Sequence, residues 1–161
     1  MSVRVTTLNH AVLWVRDARA SAAFYREALG FELVEADPAG RAVFLRAGGS
    51  SNHHDLGLFS VGERASPPPG SPGLYHLAWQ VDTIEDLAAA AAVLGERGAL
   101  VGATDHGVSK SLYAKDPDGI EFEVMWRVPP EAWGTYGEHA GLDPLDLHAE
   151  VARWSGVATG S

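Results

Sequence analysis

Hydrophobic positions along the chain change their spacing in a fixed order, and that order occurs twice. Short apolar runs of strand length alternate with longer stretches whose apolar residues recur every three to four positions, as in a helix with one buried face. The first half predicts strands at residues 7–15, 31–36, 41–46 and 54–59 and a helix at 18–29. The second half predicts strands at 75–81, 99–104, 109–114 and 120–126 and a helix at 84–97. The sequence therefore predicts an α+β fold built from two repeated βαβββ modules.

Turn and cap residues mark the ends of these predicted elements. Asp17 and Thr83 are suited to cap the two helices, and Gly30 and Gly98 are suited to close them. Residues 62–73 are rich in Pro, Gly and Ser, a composition typical of a linker or a surface loop.

These boundaries predict a single domain over residues 1–161 with four parts. They are a first module at about 6–60, a linker at 61–73, a second module at about 74–127 and a C-terminal extension at 128–161. Within the extension, residues 144–155 are predicted to form a short helix with Pro144 in its first turn.

Candidate metal ligands occur at matching places in the repeat. Each module opens with a strand that carries one histidine, His10 in the first and His76 in the second. The last strand carries Glu121 and Glu123 among apolar residues, and a carboxylate on a buried strand must be paired or bind a metal. Residues at i and i+2 of a strand share a face, so this spacing does not show which of the two carboxylates is the functional one. Two His and one carboxylate form the facial triad of non-haem Fe(II) oxygenases, although imidazole and carboxylate also suit other divalent metals.

Composition narrows the classes of function. A net charge of −9 argues against nucleic acid or an anionic membrane surface as the main partner. The chain has no Cys, which excludes disulfides, thiolate nucleophiles and zinc–thiolate sites, and its seven His favour a His/carboxylate site. No signal-peptide core and no run of transmembrane length are present, so we expect a cytoplasmic protein.

The repeat with its histidines and its final Asp116–Glu123 stretch, DPDGIEFE, resembles the vicinal oxygen chelate superfamily. Over residues 8–126 the chain is most similar to the type I extradiol dioxygenases, specifically the catalytic half of catechol 2,3-dioxygenases. The resemblance implies a half-open mixed β-barrel around a metal site, and a homodimer. Two-domain members of this group are about twice as long, and residues 62–73 lengthen the connection between the modules.

The resemblance also implies roles for individual residues. It assigns His10, His76 and Glu123, rather than Glu121, as metal ligands. It implies His54 as the acid–base histidine, and Tyr113 and His106 as groups that hydrogen-bond the substrate oxygens. The implied cofactor is Fe(II), with Mn(II) or another divalent metal as the alternative.

The activity implied is insertion of O2 into a catechol beside its diol, as in aromatic hydrocarbon catabolism. Two other functions fit the same superfamily. One is a glyoxalase- or epimerase-like metal enzyme, which commonly takes a second carboxylate ligand near residues 54–58, where this chain offers only His54 and Asp55 as polar groups. The other is a resistance-type protein that binds a drug or metabolite without chemistry.

Overall fold

The structure is a computed structural model that describes residues 3–68, 70–139 and 141–160. The chain divides into two compact units, unit 1 (Met1–Pro69) and unit 2 (Gly70–Ser161). The boundary between the units falls within the stretch predicted as a linker. Whether the chain is one domain stays a prediction.

Unit 1 is a βαβββ module. It contains β1 (Ala11–Val15), α1 (Ala18–Leu29), β2 (Glu32–Ala36), β3 (Ala42–Arg46) and β4 (Leu56–Ser60). The sheet order is β1-β4-β3-β2, with β1 parallel to β4 and the other pairs antiparallel.

Helix α1 forms because its ends are capped and one face is apolar. The Asp17 carboxylate accepts hydrogen bonds from the backbone N–H groups of Arg19 and Ala20, and Gly30 ends the helix with a φ of 70°. The buried residues of α1 and of the sheet form the core of the unit, including Leu13, Val15, Tyr25, Leu45 and Leu58.

Unit 2 repeats the module and extends it. It contains β5 (His76–Gln80), α2 (Ile84–Glu96), β6 (Leu100–Asp105), β7 (Ser109–Lys115), β8 (Glu121–Arg127), β9 (Asp143–Pro144) and α3 (Leu147–Trp154). The sheet order is β5-β8-β7-β6-β9, and only β5 and β8 are parallel. Thr83 and Asp86 form a reciprocal capping box at the start of α2. Ile84, Leu87 and Leu94 of α2 are buried.

The C-terminal extension adds several short elements to unit 2. It forms two short 3-10 helices, Pro130–Ala132 and Gly134–Gly137, before β9 pairs with β6. The prediction that Pro144 lies in the first turn of the last helix is wrong. Pro144 lies in β9 at the edge of the sheet, where a missing N–H is tolerated, and Asp146 caps α3 instead.

The predicted fold class is confirmed: the fold is α+β, with two βαβββ modules and a C-terminal helix. Each unit holds an open sheet rather than a closed barrel. Among the residues that the structure describes, no helix is long and apolar enough to span a membrane.

Candidate functional site

Two predicted metal ligands meet on one face of unit 2. Strands β5 and β8 run parallel, with His76 opposite Glu121 and Ala78 opposite Glu123. Since side chains alternate along a strand, His76 and Glu123 project from the same face. The imidazole Nε2 of His76 lies 3.2 Å from Oε2 of Glu123, and these side chains are 25% and 12% exposed. The spacing in the sequence could not decide between Glu121 and Glu123. In the structure, Glu123 is the carboxylate that contacts His76.

The chemistry of this pair suits a divalent cation. Imidazole nitrogen and carboxylate oxygen are the donors that Fe(II), Mn(II) and similar ions accept. The other nitrogen of the same ring, Nδ1 of His76, is buried and has no hydrogen-bond partner among the described residues. The Nε2 of His76 and the carboxylate of Glu123 face each other, and together they fit part of a metal site.

A second pair lies beside the first one in unit 2. His106 follows β6, and its backbone N–H donates to the Ser109 carbonyl at 2.9 Å, which forms the turn into β7. The His106 Nε2 lies 2.8 Å from the Tyr113 hydroxyl. Tyr113 is opposite Glu123 in the β7–β8 register, and its ring centroid lies 5.8 Å from that of His76. Four predicted site residues of unit 2 thus form one cluster.

The electrostatics of this cluster keep the phenol of Tyr113 protonated. Burial raises its pKa above the usual value of 10.0, and the negative charges of Glu123 and Glu121, with the phenol of Tyr75, raise it further. A protonated phenol can donate one hydrogen bond and accept others. Tyr113 is therefore suited to hydrogen-bond the oxygens of a bound molecule.

The predicted site residues of unit 1 also lie together. The rings of His10 and His54 have centroids 4.7 Å apart, and the His54 ring contacts Phe44 edge-on at 5.0 Å. The His10 Nδ1 lies 2.9 Å from the side-chain oxygen of Asn9. Both histidines precede strands β1 and β4 rather than lying within them as predicted.

His53 and His54 are neighbours in the loop before β4, and neither residue is in a strand. Their Nδ1 atoms are 3.1 Å apart, so the two side chains contact each other.

Asp55 was not among the predicted site residues, yet it holds the loop that carries His54. Its carboxylate accepts hydrogen bonds from the Ala47 N–H, the Ser50 hydroxyl and the Asn52 amide, each at 2.8 Å. Burial alone acts to raise the pKa of Asp55, but these hydrogen bonds outweigh it, and the pKa lies below the usual 3.8. The signal in the sequence was the run of Ser, Asn and Asp, residues that bond nearby backbone groups.

The full predicted ligand set draws on both units, with His10 in unit 1 and His76 and Glu123 in unit 2. Within either unit, the described residues include no group of three or more His, Asp or Glu side chains able to hold a metal ion. The three-ligand site therefore stays a prediction.

Two relatives of known activity align with most of the chain. It is 32% identical over 132 residues to a catechol-2,3-dioxygenase of Bacillus subtilis strain 168, covering 80% of this chain and 44% of the relative. It is 30% identical over 132 residues to a manganese-dependent 2,3-dihydroxybiphenyl 1,2-dioxygenase of Geobacillus genomosp. 3, covering 80% of this chain and 39% of the relative. The chain thus spans less than half the length of these relatives.

A solved structure and a family profile complete the comparison. The lactoylglutathione lyase of Agrobacterium tumefaciens matches with a TM-score of 0.58 and 25% identity, over 75% of this chain and 93% of that chain. The profile of the glyoxalase/bleomycin resistance protein/dioxygenase superfamily matches residues 7–124. Because that match spans well over half of the sequence, the chain belongs to the glyoxalase/bleomycin resistance protein/dioxygenase superfamily.

Proposed function

We propose that this chain is an extradiol dioxygenase that opens a catechol ring beside its diol. The observation that carries the proposal is the cluster in unit 2, where a His–carboxylate pair adjoins a His–Tyr pair. The first pair suits a divalent metal, and the second suits the oxygens of an aromatic diol. The extradiol activity in the names of both relatives supports the same reaction.

The proposed metal ligands are His10, His76 and Glu123, with Fe(II) as the proposed ion and Mn(II) as the alternative. A divalent metal held by these residues would favour ionisation of the catechol and would supply the redox chemistry that O2 requires. Both atoms of O2 enter the ring-opened product, a hydroxymuconic semialdehyde, so the reaction needs no external reductant. The homodimer implied by the resemblance and the cytoplasmic location expected from the sequence stay predictions.

The remaining residues manage protons and orientation in this proposal. Tyr113, whose raised pKa keeps its proton in place, hydrogen-bonds a substrate oxygen and is itself held by His106. His54 exchanges a proton with the reacting oxygens as the acid–base group. Its loop is fixed through Asp55, which limits the movement of the imidazole.

The test of the reaction is O2 uptake by protein loaded with Fe(II) or Mn(II) under anaerobic conditions. The substrates are catechol, methylcatechols and 2,3-dihydroxybiphenyl, and the ring-opened product is yellow. We expect uptake and colour together for at least one substrate. Metal bound without uptake across the panel would contradict the proposal.

The ligand assignment is tested by two matched variants on one strand. Glu123→Gln removes the carboxylate beside His76, and we expect it to abolish metal binding and turnover. Glu121→Gln makes the same change two residues earlier on the same face and should retain both. If Glu121→Gln loses the metal and Glu123→Gln keeps it, the assignment is wrong.

The acid–base assignment is tested by the neighbouring histidines. His54→Phe should leave the metal bound and lower turnover by about 10²-fold or more, the usual effect of a lost acid–base group. His53→Phe alters the adjacent, exposed ring and serves as the control. Turnover of His54→Phe at the parent rate would show that His54 has no such role.

A glyoxalase-like metal enzyme is the second candidate, because the matching solved structure is a lactoylglutathione lyase. The expected extra carboxylate in that case is Asp55. Three hydrogen-bond donors already occupy the Asp55 carboxylate, which weighs against a ligand role. Isomerisation of a hemithioacetal by Ni(II)- or Co(II)-loaded protein, without O2 uptake, would favour this candidate.

A further inference from the structure

The C-terminal extension contacts the ring of His106, the predicted substrate-binding histidine, through a backbone carbonyl. The Nδ1 of His106 lies 2.8 Å from the carbonyl oxygen of Gly141. A carbonyl oxygen can only accept a hydrogen bond, so Nδ1 must carry the proton in this contact. A neutral imidazole carries one N–H, and the opposite nitrogen, Nε2, is then an acceptor.

The identity of the protonated nitrogen determines which way the next hydrogen bond runs. The His106 Nε2 lies 2.8 Å from the Tyr113 hydroxyl, and as an acceptor it receives the Tyr113 proton. The hydroxyl hydrogen is thereby directed to His106. The lone pairs of the Tyr113 oxygen are left for a group on the bound molecule.

Gly141 holds the backbone of His106 as well as its ring. The Gly141 N–H donates to the His106 carbonyl at 2.9 Å. Two residues later, Asp143 of β9 pairs with Asp105 of β6, directly before His106. The extension is therefore fastened to the sheet next to the histidine that it contacts.

Close packing explains why residue 141 is a glycine. A Cβ at this position would lie 2.9 Å from a ring carbon of Tyr136 and 3.3 Å from a carboxylate oxygen of Asp143. The Tyr136 ring in turn lies over Gly107, where an added Cβ would be only 2.2 Å from it. Any larger residue at 141 would shift its surroundings.

We propose that Gly141 is a positioning residue whose backbone fixes His106 in the Nδ1–H tautomer and so directs the Tyr113 proton to His106. Tyr113 then offers its oxygen as an acceptor to a hydroxyl group of the bound molecule. The tautomer follows from the hydrogen bonds alone. Its effect on catechol binding rests on the proposed function.

The test reads the tautomer directly by long-range ¹H–¹⁵N NMR of the imidazole rings. The sample is the full chain loaded with Zn(II), a diamagnetic ion, and the His106→Gln spectrum identifies the signals of His106. In the parent protein we expect the Nδ1–H tautomer. Predominance of the Nε2–H tautomer would overturn the proposal.

Two variants show which contact sets the tautomer. Gly141→Pro removes the N–H that donates to the His106 backbone carbonyl and adds a ring where a Cβ would already lie 2.9 Å from Tyr136. It should therefore displace the Gly141 carbonyl from the His106 Nδ1 and shift the imidazole toward the Nε2–H form. Tyr113→Phe removes the hydroxyl at Nε2 but keeps the Gly141 contact, so the Nδ1–H form should persist. If Tyr113→Phe shifts the tautomer and Gly141→Pro does not, Tyr113 sets it and the proposal is wrong.

A matched control tests whether any substitution in the extension changes the tautomer of His106. Gly137→Ala lies in the same segment, where the nearest atom to an added Cβ is at 3.8 Å, an ordinary contact. It should leave the tautomer unchanged. Because the NMR result does not depend on turnover, failure of the catechol assay and failure of this inference are separate results.

Discussion

A buried lysine on the helix-facing side of unit 2 provides the sharpest test of the packing. Lys110 lies in β7, and its side chain is 4% exposed. Its ammonium bonds to the carboxylate of Asp105 and lies 3.2 Å from an oxygen of Glu150 in α3. The same Glu150 accepts a hydrogen bond from the Trp154 indole at 2.8 Å. One cation thus joins two strands to the C-terminal helix.

Replacement by methionine keeps most of the length of the side chain and removes its charge. Asp105 then loses its cation, and Glu150 keeps only Arg153, at 3.9 Å. The two carboxylates are only 22% and 13% exposed. Removing one member of a buried ion pair costs about 3–5 kcal/mol, because a buried charge stays uncompensated. Since both carboxylates retain some contact with water, we expect Lys110→Met to lower the free energy of unfolding by about 3 kcal/mol.

The assay is urea unfolding followed by far-UV circular dichroism and tryptophan fluorescence. Trp14 is in unit 1 and the other four tryptophans are in unit 2, so fluorescence reports mainly on the unit that contains Lys110. Lys115→Met is the control, since Lys115 is exposed at the end of the same strand. We expect that control to stay within about 0.5 kcal/mol of the parent, as for an ordinary surface substitution.

A double-mutant cycle separates the ion pair from packing. Glu150→Gln removes the charge but can still accept from Trp154, so the cycle with Lys110→Met isolates the Lys110–Glu150 interaction. We expect the double variant to be more stable than the sum of the single effects predicts. If Lys110→Met unfolds like Lys115→Met, the buried ammonium contributes no stability and the reasoning is refuted.

Two further predictions concern the hydrogen bonds that hold a loop and a helix. The lowered pKa of Asp55 means that its contribution to stability is present above pH 3.8, its unfolded value, and is lost as pH falls through the lower folded value. Asp55→Asn should therefore be less stable than the parent at pH 7, and unfolding measured from pH 7 to pH 3 should show the difference narrowing below pH 3.8. Thr83→Ala removes the cap of α2 and should cost about 1 kcal/mol, whereas Thr83→Ser should cost less. The measurement is thermal unfolding of the two variants. Equal stability of Thr83→Ala and Thr83→Ser would contradict the role of the Thr83 hydroxyl.

The order of elements could be predicted because spacing and caps agree along the chain. Asp17 and Thr83 cap the helices as expected, and both modules have the predicted order. Strand ends were less predictable, because apolar residues such as Leu8 continue the pattern without pairing. Leu8 is exposed and β1 begins at Ala11, which leaves His10 just outside the strand.

The choice between two carboxylates could not be made from spacing. Glu121 and Glu123 share a face, and His76 is directly opposite Glu121 in the register. The His76 side chain nevertheless contacts Glu123, which is offset by two residues from its direct partner. A two-residue offset preserves which face a side chain occupies, so no hydrophobic pattern distinguishes the two arrangements.

The hairpin of β7 and β8 contributes to both the core and the site, and its two faces separate these roles. Leu112, Phe122 and Val124 are buried, while Tyr113 and Glu123 project from the opposite side between them. A one-residue shift in the pairing of these strands would exchange the two faces. The buried apolar residues oppose such a shift, because it would bring them out of the core. The packing that stabilises unit 2 therefore also holds Tyr113 opposite Glu123. No additional interaction is needed to keep the site cluster in this register.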